Sequence, residues 1–200
     1  DETVSDLVAE VLEDDTCETR TLEWPGGATA VFLNALNPRP TALIFGAGHV
    51  GLALARIAPT AGFRTVVVDD REDFANRERF PMADEVLARP FDRAFEGLPT
   101  DALSHVVIMT RGHKWDRQVL AQALRSEAGY VGMIGSRRKI ALLWEALRRE
   151  GFSDADLDRV HAPIGLDIGG DSPGEIAISI MAQLIRCHRR GEDPSAPSRR

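Results

Sequence analysis

Apolar positions along the chain fall into two regimes. Over residues 4–13, Val4, Leu7, Val8 and Val11 recur at helical spacing with Leu12 beside them, which predicts a short amphipathic helix. W-P-G-G at 24–27 predicts a turn, and Ala28–Leu33 a strand. N-P-R-P at 37–40 interrupts any regular element and marks a boundary. From residue 41 onward, short Val/Ile-rich runs alternate with amphipathic stretches. The runs predict strands at Ala42–Phe45, Thr65–Val68, His105–Met109 and Tyr130–Ile134. The stretches predict helices at Val50–Ala58, Arg117–Arg125, Arg138–Arg149 and Glu175–His188. That alternation predicts an α/β fold: a Rossmann-like, doubly wound, mostly parallel sheet with helices on both faces. The expected organisation is an acidic segment at 1–40, a Rossmann-like ligand-binding domain at 41–190 and a flexible basic tail at 191–200.

Composition narrows the classes. With 44% hydrophobic and 28% charged residues over 200 positions, the chain is an ordinary globular domain, not a disordered or fibrous one. The formal charge of −7 sits wholly in residues 1–40, which hold nine acids and two bases. The remaining 160 positions carry 22 acids and 22 bases, so no basic field covers the body and nucleic acid is not an expected partner. No apolar run approaches membrane-spanning length, and no signal-like segment opens the chain. Cys17 and Cys187 form no disulfide framework, so a cytoplasmic location is expected.

The sharpest motif is A-L-I-F-G-A-G-H-V-G-L-A-L-A, where Gly46, Gly48 and Gly51 fit G-x-G-x-x-G between a strand and a helix. Gly46 permits the turn, Gly48 lets backbone amides approach a phosphate, and Gly51 lets helix and strand pack closely. Asp69, 18 residues past Gly51, ends the next strand and is placed to bind a ribose or similar polyol. The same turn also suits a Rossmann-like domain that no longer binds a dinucleotide. His49 stands where a dinucleotide's phosphates would pass, as a polar contact to another ligand or as a surface histidine.

Ligands of open α/β sheets sit beyond the carboxyl ends of the strands. There T-R-G-H-K-W-D offers Thr110 and His113, with Asp116 expected to cap the next helix. G-S-R-R-K offers Gly135, Ser136 as a cap, and Arg137, Arg138 and Lys139 in a first helical turn. Cations there oppose the helix dipole unless an anion is bound. Ser172, Pro173 and Glu175 spell a capping box that starts the last helix, on which Cys187 reads as core. His161 and Asp167 precede it in a Gly-rich loop. No C-x-x-C or H-x-x-x-H spacing is present, so no metal site is predicted, and no residue is assigned as catalytic.

Together, G-A-G-H-V-G, V-V-D-D-R with F-P-M-A-D, T-x-x-H-x-x-D, Y-V-G-M-I-G-S-R-R-K and H-A-P-I-G-L-D-I-G-G-D-S-P-G-E-I-A-I-S-I resemble the Rossmann-type domain of the XdhC/CoxI family over residues 40–188. That family comprises accessory proteins of xanthine dehydrogenase and related molybdenum hydroxylases. The resemblance implies a chaperone that binds the molybdenum cofactor (molybdopterin), protects it during sulfuration and delivers it to an apo molybdenum hydroxylase, with a cysteine desulfurase as a further partner. It implies a cofactor site drawn from Gly46, Gly48, His49, Gly51, Asp69, Arg71, Thr110, His113, Gly135, Ser136, Arg137, Arg138, Lys139 and Asp167. Asp116, His161, Pro163, Gly165 and Glu175 also match the family pattern. Residues 1–40 are too short for the N-terminal domain of full members, which implies a single-domain relative or half of a split system. A homodimer is a further expectation. The alternatives are an NAD-dependent oxidoreductase with His113 as acid–base, and an interaction module that holds no ligand.

Overall fold

The computed structural model describes residues 2–13, 17–35 and 38–190, in two compact units divided between Pro38 and Arg39. The first unit holds helix α1 (Glu2–Glu13) and an antiparallel hairpin of β1 (Cys17–Trp24) and β2 (Gly27–Asn34), in register from Cys17 opposite Asn34 to Trp24 opposite Gly27. The expected helix, turn and second strand are all present. The apolar pattern does not predict β1: its C-E-T-R-T-L-E-W sequence has no apolar run, and most of its positions are exposed. The basic tail expected at 191–200 lies outside the described residues.

The second unit runs β3 (Thr41–Phe45), α2 (His49–Ile57), β4 (Arg64–Asp69), β5 (Glu85–Ala88), β6 (Ser104–Ile108), α3 (His113–Leu124), β7 (Tyr130–Met133), α4 (Arg137–Arg149), α5 (Asp154–Asp158), β8 (Val160–His161) and α6 (Pro173–Arg190). Six strands form one sheet in the order β5-β4-β3-β6-β7-β8, and every pairing is parallel. Alternate residues of each apolar run separate to the two faces. Leu43, Phe45, Val66, Val68, Val106 and Ile108 pack beneath α3 and α4. Ala42, Ile44, Val67 and Val107 pack beneath α2 and α6. Burial on both faces is why these strands read as unbroken apolar runs instead of alternating ones. β5, β8 and α5 escape prediction because four, two and five residues carry too little periodicity to stand out.

From β3 the chain builds outward through β4 and β5, then returns to lay β6 against the other side of β3. The switch point therefore falls between β3 and β6, where a crevice opens at the strand ends. Because all six strands run the same way, the glycine turn after β3 and the arginine-rich turn after β7 lie on one rim of the sheet.

At the opposite end of β6, His105 is buried against Phe63, Tyr130 and His188. Its Nδ1–H donates to the Leu103 carbonyl at 2.9 Å. Burial, the largest influence, lowers its pKa from 6.5 to about 4; His188 adds to the lowering, while the Leu103 bond and Asp101 oppose it. An unfolded chain takes up this proton below pH 6.5, whereas the folded chain refuses it until about pH 4. Stability is therefore complete above pH 6.5 and falls as pH drops toward 4, by about 3 kcal/mol in all. Urea denaturation across that range should show the slope, and His105→Gln should flatten it.

Candidate functional site

The site begins with the glycine turn. Gly46 has φ +124°, a conformation side chains rarely adopt, and a Cβ there would meet the Met109 carbonyl oxygen at 2.4 Å. A Cβ on Gly51 would stand 2.1 Å from the Gly46 carbonyl oxygen. These two glycines are thus internal packing requirements. Gly48, the N-cap of α2, differs: a Cβ there would meet nothing within 4 Å. The turn is open at Gly48, above the unpaired amides of the helix start, the arrangement that suits an anion. His49 opens α2 and is exposed.

Asp69 at the end of β4 is 1% exposed, and both carboxylate oxygens are engaged. Oδ2 accepts from the Ala47 amide at 2.8 Å and from Arg71 Nη2 at 3.0 Å. Oδ1 accepts from Arg71 Nε at 2.8 Å and the Arg71 amide at 3.1 Å. Burial alone would raise this carboxyl, but the Arg71 guanidinium and the two amides outweigh it and hold the pKa below its usual value. The polyol-binding role expected from sequence is therefore not available to this carboxylate as it stands. Asp69 pins the glycine turn, and Arg71 stacks its guanidinium over the Phe74 ring at 3.5 Å.

The turn after β6 departs from expectation at Asp116. It is not a helix cap: α3 starts at His113 with Gly112 as N-cap, which places Asp116 inside the first turn. Asp116 is fully buried, accepts from Thr110 Oγ1 at 2.7 Å and pairs with the Lys139 ammonium. Thr110, Asp116 and Lys139 thus form one internal network linking the β6 turn to the start of α4. Of the three cations expected to face a ligand, Lys139 is turned inward, only 20% exposed, while Arg137 and Arg138 are exposed. Ser136 caps α4 as expected, accepting from the Lys139 amide at 3.3 Å, and Gly135 sits tightly against Ile140 and Lys139. His113 lines a groove of about 400 Å³ between α3 and α4 with Lys114, Arg117 and Leu142.

Arg137 instead shares a cavity of about 400 Å³ with Pro163, Gly165, Asp167, Ile168 and Gly170 of the loop before α6. That loop is held at both ends. The Gly165 amide donates to Gln183 Oε1 at 2.7 Å, and Ser179 Oγ donates to the Leu166 carbonyl at 2.8 Å. At the far end, Glu175 Oε2 accepts from the amides of Asp171 and Ser172 and from Ser172 Oγ. These bonds complete the predicted capping box and hold the Glu175 pKa below its usual value. His161 is buried, stacked on Tyr130 at 4.4 Å, and belongs to the core. Cys187 packs against the core, as expected.

Two side chains at the rim have no signal in the sequence. Arg111 Nη2 donates to Asp70 Oδ2 at 2.6 Å, joining the segments that leave β6 and β4. V-V-V-D-D ends in two acids, and nothing local says which of them turns inward. Among the described residues, no group of three or more His, Cys, Asp or Glu side chains is placed to hold a metal ion. No described helix is long and apolar enough to cross a membrane.

Residues 42–184 match the family described as the XdhC Rossmann domain. The chain is 36% identical over 162 residues to the uncharacterized protein YqeB of Escherichia coli K12, covering 80% of this chain and 30% of that protein. It is 27% identical over 165 residues to a probable xanthine dehydrogenase subunit of Bacillus subtilis 168, covering 81% of this chain and 47% of the relative. It therefore spans half or less of the length of these curated relatives. A crystal structure described as a xanthine dehydrogenase from Bacillus halodurans superposes with a TM-score of 0.69 at 26% identity, covering 98% of this chain and 66% of that one.

Proposed function

This chain belongs to the XdhC family through its Rossmann domain, and from that premise we propose that it serves in xanthine dehydrogenase maturation, as the part of an accessory chaperone that holds the molybdenum cofactor. In this reading it shelters the cofactor during sulfuration and passes it to a xanthine dehydrogenase-type apo-hydroxylase, with a cysteine desulfurase supplying the sulfur. The bound group contributes a pyranopterin dithiolene, its phosphate and the metal. The chain contributes a place to hold them.

One observation carries the reading. The open turn at Gly48 and the cavity between Arg137 and Gly170 are built on strand ends of the same sheet rim. The donor set fits a phosphorylated, flat, polar ligand. The first amides of α2 suit the phosphate, and the Arg137 guanidinium suits a polar or anionic edge of the ligand in the neighbouring cavity. Asp167, exposed in the same cavity as Arg137, can accept N–H protons from a pterin. Ile164, Leu166 and Ile168 offer apolar surface beside it. The Ser179 and Gln183 bonds hold the loop in shape before a ligand arrives, which lowers the ordering cost of binding.

The glycine motif at the switch point also favours a nicotinamide dinucleotide. Against that, the carboxylate that would read its ribose is saturated by Ala47 and Arg71. The two readings separate when the purified chain is mixed with released molybdenum cofactor, NAD and NADH while pterin and nicotinamide fluorescence are followed. Pterin retained without nicotinamide binding is the expected result. Tight NADH binding with turnover of an alcohol or hydroxy acid overturns it.

The arginines give a second check. Arg137 and Arg138 open α4 at its positive end, and each exposed cation there costs roughly 0.3–1 kcal/mol. Replacing both with alanine should weaken cofactor binding while the melting temperature stays level or rises by about 2–4 °C. A marked loss of stability would make them structural.

A further inference from the structure

Two arginine–aspartate pairs stand side by side on the rim, and they are built differently. Asp69 and Arg71 form a closed unit: two contacts between guanidinium and carboxylate, two amides on the same oxygens, and a carboxylate 1% exposed. Asp70 and Arg111 form half of one. Arg111 Nη2 reaches Asp70 Oδ2 at 2.6 Å, and its side chain is 45% exposed. Asp70 Oδ1 is buried and accepts no hydrogen bond; its near cation, Arg71 Nε, stands 4.0 Å away. A buried carboxylate oxygen without a donor is an arrangement that a purely structural bridge avoids.

The location gives this pair a use. Asp70 follows β4 and Arg111 follows β6, and β3 lies between those strands. The pair therefore spans the strand end from which the glycine turn departs, at the switch point and on the same rim as the open Gly48. We propose that Arg111 is the residue that captures the phosphate of the ligand at the glycine turn, and that Asp70 holds it across the crevice until the ligand arrives. The proposal deepens the cofactor-holding reading and rests on its placing of an anionic group at this rim. A phosphate oxygen replaces Asp70 Oδ2 as the acceptor of the Arg111 N–H, so no charge on Arg111 is left unpaired by the exchange. Asp70 is then released toward solvent or toward hydroxyl and N–H donors of the same ligand. The exchange is favoured because Arg111 is 45% exposed and a phosphate carries more charge than one carboxylate, while Arg71 Nε, 4.0 Å from Asp70 Oδ1, stays in place to balance the less exposed Asp70. Arg suits the task because its planar donors match phosphate oxygens.

A structural bridge and a displaceable one differ in sign. If the pair merely stiffens the rim, removing either partner weakens ligand binding. If Asp70 competes with the ligand for Arg111, the two substitutions act in opposite directions. The probes are a pterin carrying a phosphate monoester, the same pterin without it, and inorganic phosphate, each titrated into the full chain. Asp70→Asn should tighten the phosphorylated pterin by about two- to fivefold, and Arg111→Gln should weaken it by about tenfold or more. Both should leave the unphosphorylated pterin nearly unchanged. Glu72→Gln, which removes the same charge from an exposed neighbouring site, should change affinity by less than twofold and so separates competition from general electrostatics. Asp70→Ser carries the same expectation should Asp70→Asn melt early. Changes of the same sign in the Asp70 and Arg111 variants, equal effects on the two pterins, or no phosphate binding by the wild-type chain overturn the proposal. Opposite effects on inorganic phosphate with no pterin retained would leave Arg111's role standing and remove the molybdenum cofactor. Pterin retained equally by all variants would do the reverse.

Discussion

Gly51→Ala is expected to destabilise this protein by about 3 kcal/mol or more, while Gly48→Ala, three residues earlier, leaves its unfolding curve where it was. The Gly51 methyl would stand 2.1 Å from the carbonyl oxygen of Gly46, a backbone atom that cannot swing aside as a side chain does. Relief requires α2 to move away from β3, which opens the core containing Leu54 and Ala55. Gly46→Ala should be at least as severe, because it adds a φ of +124° to a contact of 2.4 Å with the Met109 carbonyl oxygen. Losses of this size are a large fraction of the 5–15 kcal/mol typical of a domain, so either variant should be partly unfolded or poorly recovered. At Gly48 the space is open and φ is −74°, so alanine is accommodated. What it obstructs is the approach of a phosphate to the amides behind it. Guanidinium denaturation of the three variants, beside pterin-phosphate titration of Gly48→Ala, tests both halves. A stable Gly51→Ala protein, or a Gly48→Ala protein that binds like wild type, would contradict this division of roles.

The second large effect is expected at Asp116. Asp116→Asn keeps the size and the acceptor for Thr110 but removes the charge that matches Lys139. The ammonium, 20% exposed, is then left largely buried without a counter-ion. Breaking a buried pair by removing one partner costs 3–5 kcal/mol in general; the remaining exposure of Lys139 puts this case near the lower end, at about 3 kcal/mol. Lys139→Met should cost at least as much, because it leaves the fully buried Asp116 carboxylate without a counter-ion, and the double variant should recover most of the loss, since replacing a whole buried pair by neutral groups is often nearly neutral. Because the pair ties the β6 turn to the start of α4, Asp116→Asn should also weaken ligand binding, although Asp116 is too deep to touch the ligand. A double-mutant cycle on stability, with ligand affinity read in parallel, checks both statements. Simple additivity of the two single losses would show that the pair does not act as a unit.

The contrast between these residues shows what is legible from the chain alone. The glycine turn can be read because its pattern is local: G-A-G-H-V-G between an apolar run and a helix has few other uses, even though Gly46 also answers to the distant Met109 carbonyl. The Ser136 cap, the Ser172–Glu175 capping box and the four long apolar strands are legible for the same reason. The caps are satisfied by neighbours within a few residues, and the strands show as unbroken apolar runs although their partners lie more than 20 positions away. Asp116 misleads because an acid ahead of a helical stretch looks like a cap from sequence. Its true partner, Lys139, is 23 positions away and meets it only after α3 and α4 pack. Asp69 reads as a ligand acceptor because it stands at the right distance from Gly51. Its carboxylate is instead filled by Ala47, 22 residues back, and by Arg71, two residues on. Arg111 gives no local sign because its partner Asp70 lies 41 positions away.

Patterns within one segment are enough to establish the Rossmann-like architecture and the rim on which a ligand would sit. Apolar periodicity and turn chemistry act over distances the chain spans in a few residues, and parallel strands must end on a common side. Which polar groups at that rim face outward is decided only when the segments meet. Asp69 and Lys139 are committed to internal partners, whereas Gly48, Arg137 and Asp167 remain exposed or open to approach. A charged side chain goes to the partner that best repays its loss of water, and that partner comes from another strand or helix whose position no single segment specifies.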